Sequence, residues 1–308
     1  MNYITIKKAS ILWNISERRI RQLLKDGRIN NAIKVGTTWN IPADATKPSD
    51  NRFKVRLPNY KINLPDDYFD EIDNKKKALD SKRPLSRETW VSLRENNILN
   101  WTYNSNAIEG NTLTLRETKV VLEGITIGGK SVVEHLEIIN HREAIYFLED
   151  LIKNKELVSE WNIKNIHHLV LKEIDNKNAG QYRTENVIIS GATHTPPAHY
   201  QVKARMEELI NLYSTWDNYH PIVKAALLHG EFVKIHPFID GNGRTARLLM
   251  NFEVMKAGYL PIVIKKEDRF GYYDLLDKAC SKLNYIDFIK FLVKIENKIL
   301  NEYLDIIE

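Results

Sequence analysis

The chain of 308 residues contains one cysteine, Cys280, which excludes an internal disulfide and any zinc cage built from cysteine thiolates. No apolar run approaches the roughly eighteen residues of a membrane span. The start, Met-Asn-Tyr-Ile-Thr-Ile-Lys-Lys, also lacks the longer apolar stretch of a signal peptide. A cytoplasmic protein without a membrane partner is the expectation. Internal repeats and low-complexity tracts are missing as well. What is present, 43% hydrophobic residues over a length that accommodates two domains, is enough for a substantial buried core.

Charge is spread unevenly. Residues 1–56 hold twelve Lys or Arg against four Asp or Glu, so this segment carries +8 and the rest of the chain −3. The segment also has its own periodicity. Ile6, Ala9, Ile11 and Leu12 mark a first helix, and Asn14 and Ile15 a turn. Ser16 caps a second helix with Ile20, Leu23 and Leu24 inside, which Gly27 ends. Val35 to Ile41 form a small hairpin bent at Gly36. Glu17, Arg18, Arg19 and Arg21 open the second helix, and arginines in a first helical turn suit entry into a DNA major groove, with phosphate contacts alongside. Docking of a protein partner is the competing reading. The pattern resembles the excisionase or MerR-like winged helix-turn-helix, which implies a DNA-binding-like domain over residues 1–50. Residues 51–65, in a stretch rich in Pro, Asp, Asn and Lys, read as a linker.

Beyond the linker, apolar spacing predicts helices near 66–81, 86–108, 115–123, 132–153, 160–174, 201–216, 220–235 and 285–306. Gly124 to Ser131 matches the phosphate-loop pattern Gly-x-x-x-x-Gly-Lys-(Ser/Thr). Such a loop must follow a buried strand, whereas Thr114-Leu-Arg-Glu117 is a capping box that starts a helix, so a nucleotide loop is not expected there. Asn186 to Pro197, a short β-branched run meeting a glycine and two prolines, reads as a hairpin.

Residues 236–247 read His-Pro-Phe-Ile-Asp-Gly-Asn-Gly-Arg-Thr-Ala-Arg. His236 has the side chain that can take a proton from a hydroxyl near neutral pH. Asp240 offers the hard carboxylate oxygen that suits Mg²⁺ bridging phosphates. Gly241, Asn242 and Gly243 let the backbone approach an anion at the start of a helix, whose first amides are unpaired. Arg244 and Arg247 share one face of that helix and present guanidinium forks to phosphate. Each residue alone has an ordinary explanation. Eight specified positions together match by accident with a chance on the order of 10⁻⁸.

The segment resembles the signature of the Fic family, His-x-Phe-x-(Asp/Glu)-Gly-Asn-Gly-Arg-x-x-Arg. The resemblance implies a mainly α fold, a Fic helical bundle over 66–308 with a small β-hairpin flap, following the winged domain. It implies transfer of AMP from MgATP to a Ser, Thr or Tyr hydroxyl of a target protein. His236 would be the base, Asp240 the metal ligand, Gly241 to Gly243 the phosphate cradle, and Arg244 and Arg247 the pyrophosphate clamp. Upstream, Ser105-Asn-Ala-Ile-Glu109-Gly110 resembles the family's inhibitory motif at the end of a helix over 86–110. There Glu109 would occupy Arg247 and turn ATP into an unproductive pose.

The same glutamate could instead orient a water that removes AMP from a modified protein. A regulator class is also open, in which the Fic core senses nucleotide and residues 1–50 bind DNA. Thr193, His194 and Thr195 fall in the flap that would align a target backbone. Arg269-Phe-Gly-Tyr272-Tyr273 resembles the segment facing the adenine, where an aromatic ring could stack on the base. Cys280 stands where the family pattern has Asn, which leaves base selectivity open. His229, seven residues before His236, reads as a packed histidine, and His167 and His168 as structural. A homodimer is compatible with this reading.

Overall fold

The computed structural model describes residues 3–13, 15–43, 45–48 and 58–307. Two compact units divide the chain, Met1–Arg56 and Leu57–Glu308. Asn14, expected in a turn, and residues 51–57 of the expected linker lie outside the described residues.

The first unit carries β1 (Tyr3–Ile4), α1 (Ile6–Leu12), α2 (Glu17–Lys25), β2 (Ile33–Val35) and β3 (Thr38–Pro42). Thr5 caps α1 by accepting from the Lys8 amide at 3.2 Å, and Ser16 caps α2 by accepting from the Arg19 amide at 3.3 Å. Both helices lay an apolar stripe on the sheet, so Ala9, Ile20, Leu23, Leu24 and Ile41 form one buried cluster. The strands pair antiparallel in the order β1-β3-β2, with Val35 opposite Thr38 across the turn at Gly36. Gly36 has a φ of 59°, a conformation glycine adopts at no steric cost. The expected hairpin is therefore a three-stranded sheet. Two-residue β1 has no periodicity to announce it and exists only through Tyr3 opposite Pro42 and Ile4 opposite Ile41.

The second unit is helical: α3 (Asp70–Ser81), α4 (Arg87–Ile108), α5 (Leu115–Leu122), α6 (Val132–Lys153), α7 (Glu160–Leu171), α8 (Val202–Tyr213), α9 (Pro221–Ile235), α10 (Asn242–Lys256), α11 (Arg269–Lys282) and α12 (Ile286–Ile307). Capping fixes the starts. Ser86 and Ser159 cap α4 and α7, while Thr114 with Glu117 and Ser131 with Glu134 form full capping boxes on α5 and α6. Ser131, the last residue of the phosphate-loop look-alike, is thus a helix cap. Lys130 before it bonds the Thr112 carbonyl at 2.8 Å.

Helices α9 and α10 are the centre of the unit, buried nearly all round and packed on each other. Helices α6 and α7 cover α10, while α8, α11 and α12 cover α9. The loop between α9 and α10, residues 236–241, therefore joins the two most deeply packed helices of this unit. No helix among the described residues is long and apolar enough to cross a membrane.

Two expectations need correction. Residues 58–65 are not a linker. Lys61 donates its amide to the Leu283 carbonyl at 2.8 Å and accepts from the Tyr285 amide at 3.0 Å, and the Tyr60 ring meets Trp216 and Tyr285 edge-on. One aromatic anchor outweighs the polar composition around it. Residues 186–197 form no strand ladder. Their turn closes from the Ala192 amide to the Ile189 carbonyl at 3.2 Å, and Pro196 and Pro197 lack the amide hydrogens a ladder needs.

Glu296 on α12 is fully buried, accepting from the Leu260 amide at 3.1 Å through Oε1 while Oε2 has no partner. Burial pushes its pKa up to about 8. A folded pKa above the unfolded one means stability is lost as pH rises from the ordinary carboxylate range through 8. Urea unfolding should show a loss of roughly 3 kcal/mol between pH 6 and 9 from this group. Glu296→Gln should flatten that slope, and an unchanged slope in the variant would refute the assignment.

Candidate active site

Helix α9 ends in a left-handed residue, His236, with φ 50° and ψ 61°. The reversal turns the chain out of the core and leaves the imidazole at the base of a loop. A non-glycine residue adopts such a conformation uncommonly. Arg183 helps to hold it. This buried side chain donates from Nε to the His236 carbonyl at 2.8 Å and from Nη1 to the Glu185 carbonyl at 2.8 Å. Its Nη2 donates to the Pro197 carbonyl at 2.5 Å. One guanidinium thus ties both ends of the 186–197 turn to the start of the signature.

The His236 pKa is lowered to about 4, first by burial and then by the positive charge of Arg183. The ring is neutral at pH 7, and because Nδ1 is buried, Nε2 is the nitrogen left to meet a proton donor.

The loop is rigid. The Phe238 ring stacks on His167 at 3.6 Å with the planes 2° apart. His167 accepts from the Gly180 amide at Nδ1, 2.9 Å, so its proton is on Nε2, which donates to the Asp240 carbonyl at 2.8 Å. Asn242 closes the turn on itself. Its Oδ1 accepts from the Phe238 amide at 3.0 Å and its Nδ2 donates to the Phe238 carbonyl at 2.9 Å. Gly241 has a φ of 74° and faces His167, which an added Cβ would meet at 3.2 Å. With Gly241 at its N-cap, α10 aims its first amides out of the loop.

Asp240 projects outward, its side chain 68% exposed, accepting from the Gly241 amide at 2.6 Å and from Arg244 Nη2 at 3.3 Å. Arg244 is buried and donates through Nη1 to Glu137 on α6 at 2.8 Å. Glu137 also accepts from Asn111 Nδ2 at 2.8 Å. Arg247, one turn on, has its side chain 3% exposed. Its Nη2 donates to Glu109 Oε1 at 2.7 Å and to the Ser105 carbonyl at 2.8 Å, and Nε to Ser105 Oγ at 3.0 Å. Nη1 is buried without a hydrogen-bond partner. Glu109 reaches this point because Gly243 has no side chain: an added Cβ would stand 2.2 Å from Glu109 Oε1. The structure thus sets one neutral base, one exposed carboxylate, a helix start and two arginines around a loop into which α4 inserts an acid.

The profile of the Fic/DOC family matches residues 157–254. A solved structure of residues 134–508 of Fic-1 from C. elegans is 31% identical, covers 76% of this chain and 71% of its own, and superimposes with a TM-score of 0.68. The chain belongs to the Fic/DOC family. A Fic domain containing signaling protein from Bacteroides thetaiotaomicron has the same fold at a TM-score of 0.71, with 29% identity over 77% of this chain and 97% of its own. The protein adenylyltransferase Fic of Nematostella vectensis is 37% identical over 259 residues, 80% of this chain and 58% of its own. The chain spans about half the length of the curated relatives it matches, 58% of the Nematostella protein and 47% of the Aedes aegypti one.

Within this Fic core the structure brings His236, Asp240, Gly241, Asn242, Gly243, Arg244, Arg247, Ser105 and Glu109 together. Gly110, with φ 105°, ends α4 just behind Glu109 and touches nothing an added Cβ would strike. Thr193 leaves the loop and clamps α11 instead, its amide and hydroxyl both 2.7 Å from the Asp277 carboxylate. His194 is 3.5 Å from the same carboxylate, and Thr195 is exposed. Tyr272 is 1% exposed, packed among His229, Tyr273 and Phe288, with its hydroxyl 2.8 Å from His229 Nε2. It offers no open ring face to a base, whereas Tyr273 is half-buried beneath Arg269. Cys280 is buried, its thiol 3.4 Å from the Gly230 carbonyl.

Sequence reasoning missed Arg183, Glu137 and Asn111 and gave His167 too small a part. Asn111 directly follows the inhibitory motif, which is the one local hint among them. The others act from 53 to 107 residues away from the groups they hold, and nothing in local pattern marks them.

Proposed function

We propose that the protein transfers AMP from MgATP to a Ser, Thr or Tyr hydroxyl of a target protein, and that Glu109 holds it inactive. One observation carries the reading: the Glu109 carboxylate, inserted from α4, occupies the Arg247 guanidinium at 2.7 Å beside a neutral, half-buried His236. In the released state His236 Nε2 takes the hydroxyl proton, the hydroxyl oxygen bonds to the α-phosphorus, and the bond from that phosphorus to the pyrophosphate oxygen breaks. Arg247, free of Glu109, and Arg244 take up charge on the departing pyrophosphate, and the first amides of α10 hold the phosphates.

Mg²⁺ fits a donor set of this kind. No cluster of three acidic, His or Cys residues exists among the described residues, and a single exposed carboxylate, Asp240, suits an ion that takes its other oxygens from phosphate and water. Bound there, it would offset phosphate charge. The 186–197 turn, which forms no strand ladder and leaves Ile188 exposed, suits alignment of an extended target segment.

Incubation of lysate proteins with α-labelled ATP tests the proposal. Glu109→Gly should label protein on the order of tenfold or more above the wild type, since a charge-assisted hydrogen bond is worth about 1.5–3 kcal/mol. Equal labelling by the two proteins overturns the inhibitory role, and release of AMP from premodified protein by the wild type alone reverses the direction of the reaction.

We also infer that residues 1–50 bind DNA. The +8 charge of residues 1–56 and the placement of Glu17, Arg18 and Arg19 on the first turn of a capped helix, with Arg21 one turn on and paired to Glu17 at 2.7 Å, support this reading. Affinity for duplex DNA should fall steeply with salt, and Arg18→Glu with Arg21→Glu should shallow that slope. A salt-insensitive or undetectable interaction rejects it.

A further inference from the structure

Far from the loop, a cavity of about 1180 Å³ opens between α4, α6 and the segment after α10. Its body is apolar, lined by Trp90, Ile98, Trp101 and Leu260. Its charge is not balanced. Arg83, Arg87, Arg94 and Lys153 stand against two carboxylates, Glu149 and Asp150. Arg94 is committed to Glu149, Nε to Oε1 at 3.0 Å, and Arg83 to Asp80 at 2.7 Å. Arg87 and Lys153 have no ion pair among the described residues and remain exposed at the rim. None of the Fic signature residues lines this cavity.

We propose that this cavity is a binding site for an anionic amphiphile, a molecule with an aromatic or aliphatic body and one acidic group, and that its occupancy is felt at Glu109. The apolar walls take the body, and Arg87 and Lys153 at the rim take the acid. The second half rests on the inhibitory role proposed for Glu109. Trp90, Ile98 and Trp101 lie on α4, a single helix of 22 residues whose C-cap is Glu109. Trp90 and Glu109 are therefore about 28 Å apart on one rigid rod. A ligand that repositions the near end biases how the far end meets Arg247, and coupling of this kind is reciprocal.

The full chain is titrated with 1-anilinonaphthalene-8-sulfonate, an anionic aromatic probe, and with uncharged N-phenyl-1-naphthylamine, each followed by its fluorescence. The sulfonate should saturate one site. Arg87→Glu with Lys153→Glu should weaken it about tenfold and leave the uncharged dye unchanged. Trp90→Ala, at an exposed position that folding tolerates, should weaken both dyes. Sulfonate affinity that is indifferent to these substitutions overturns the site.

For the coupling, Glu109→Gly should bind the sulfonate several-fold more tightly than the wild type, a readout that requires no catalysis. Equal affinity overturns the coupling and leaves the transfer reaction to its own assay. Failure of Glu109→Gly to label protein removes the transferase reading and leaves the binding result standing.

Discussion

Glu109→Gly is expected to unfold about 5–10 °C below the wild type in the absence of nucleotide, and to recover most of that loss when MgATP is added. The Arg247 charge sets the effect. Its side chain is 3% exposed, and among the described residues Glu109 is the one carboxylate it pairs with. Without the carboxylate, the guanidinium keeps only the Ser105 hydroxyl and carbonyl. A buried charge stripped of its partner costs several kcal/mol, here reduced to about 2–3 because Glu109 itself is partly wet. ATP phosphate can restore an anion to the same place, and saturation at a hundred times Kd contributes about 2.7 kcal/mol. In the wild type the carboxylate already fills that role, so MgATP should raise its melting temperature far less. Scanning fluorimetry of both proteins with and without MgATP measures this directly. Equal nucleotide shifts in the two would mean that Glu109 does not compete with phosphate.

His236→Ala, placed in the Glu109→Gly background, is expected to cut label transfer by about 10²–10⁴-fold while the melting shift with MgATP persists. Base and nucleotide site are separate sets of atoms, so removing the imidazole should spare binding. The pH dependence carries its own sign. With a pKa near 4, the ring is lowered below its unfolded value and stays unprotonated down to about that pH. Transfer by Glu109→Gly should therefore be nearly flat from pH 5 to 8 and fall only as pH drops through about 4. An acidic limb centred near 6.5 would show that the ring becomes solvated in the working complex.

Much of this architecture is legible in one dimension because its determinants are local. The starts of α4, α5, α6 and α7 are each fixed by a Ser or Thr whose hydroxyl accepts an amide three residues on, a pattern visible in the letters. The loop from His236 to Arg247 is contiguous, so its chemistry can be read as a string. Harder to read is what aims it. Arg183 fixes the His236 carbonyl, His167 fixes the Asp240 carbonyl, and Glu137 links Arg244 to Asn111, each across a long stretch of chain. These pairings arise from packing, which leaves no periodic trace. The turn at 186–197 shows the converse error. Its β-branched residues favour a strand, yet Thr193 is better satisfied by Asp277 than by a facing strand.

The bare α-carbon at Gly243 confines how this enzyme class can be retuned. On the proposed reaction, the Glu109 carboxylate and a nucleotide phosphate would take turns beside Arg247. A side chain at position 243 would strike the Glu109 carboxylate, and with it both restraint and turnover would be disturbed. Release would then be retuned through α4 and its supports while the signature loop stays fixed.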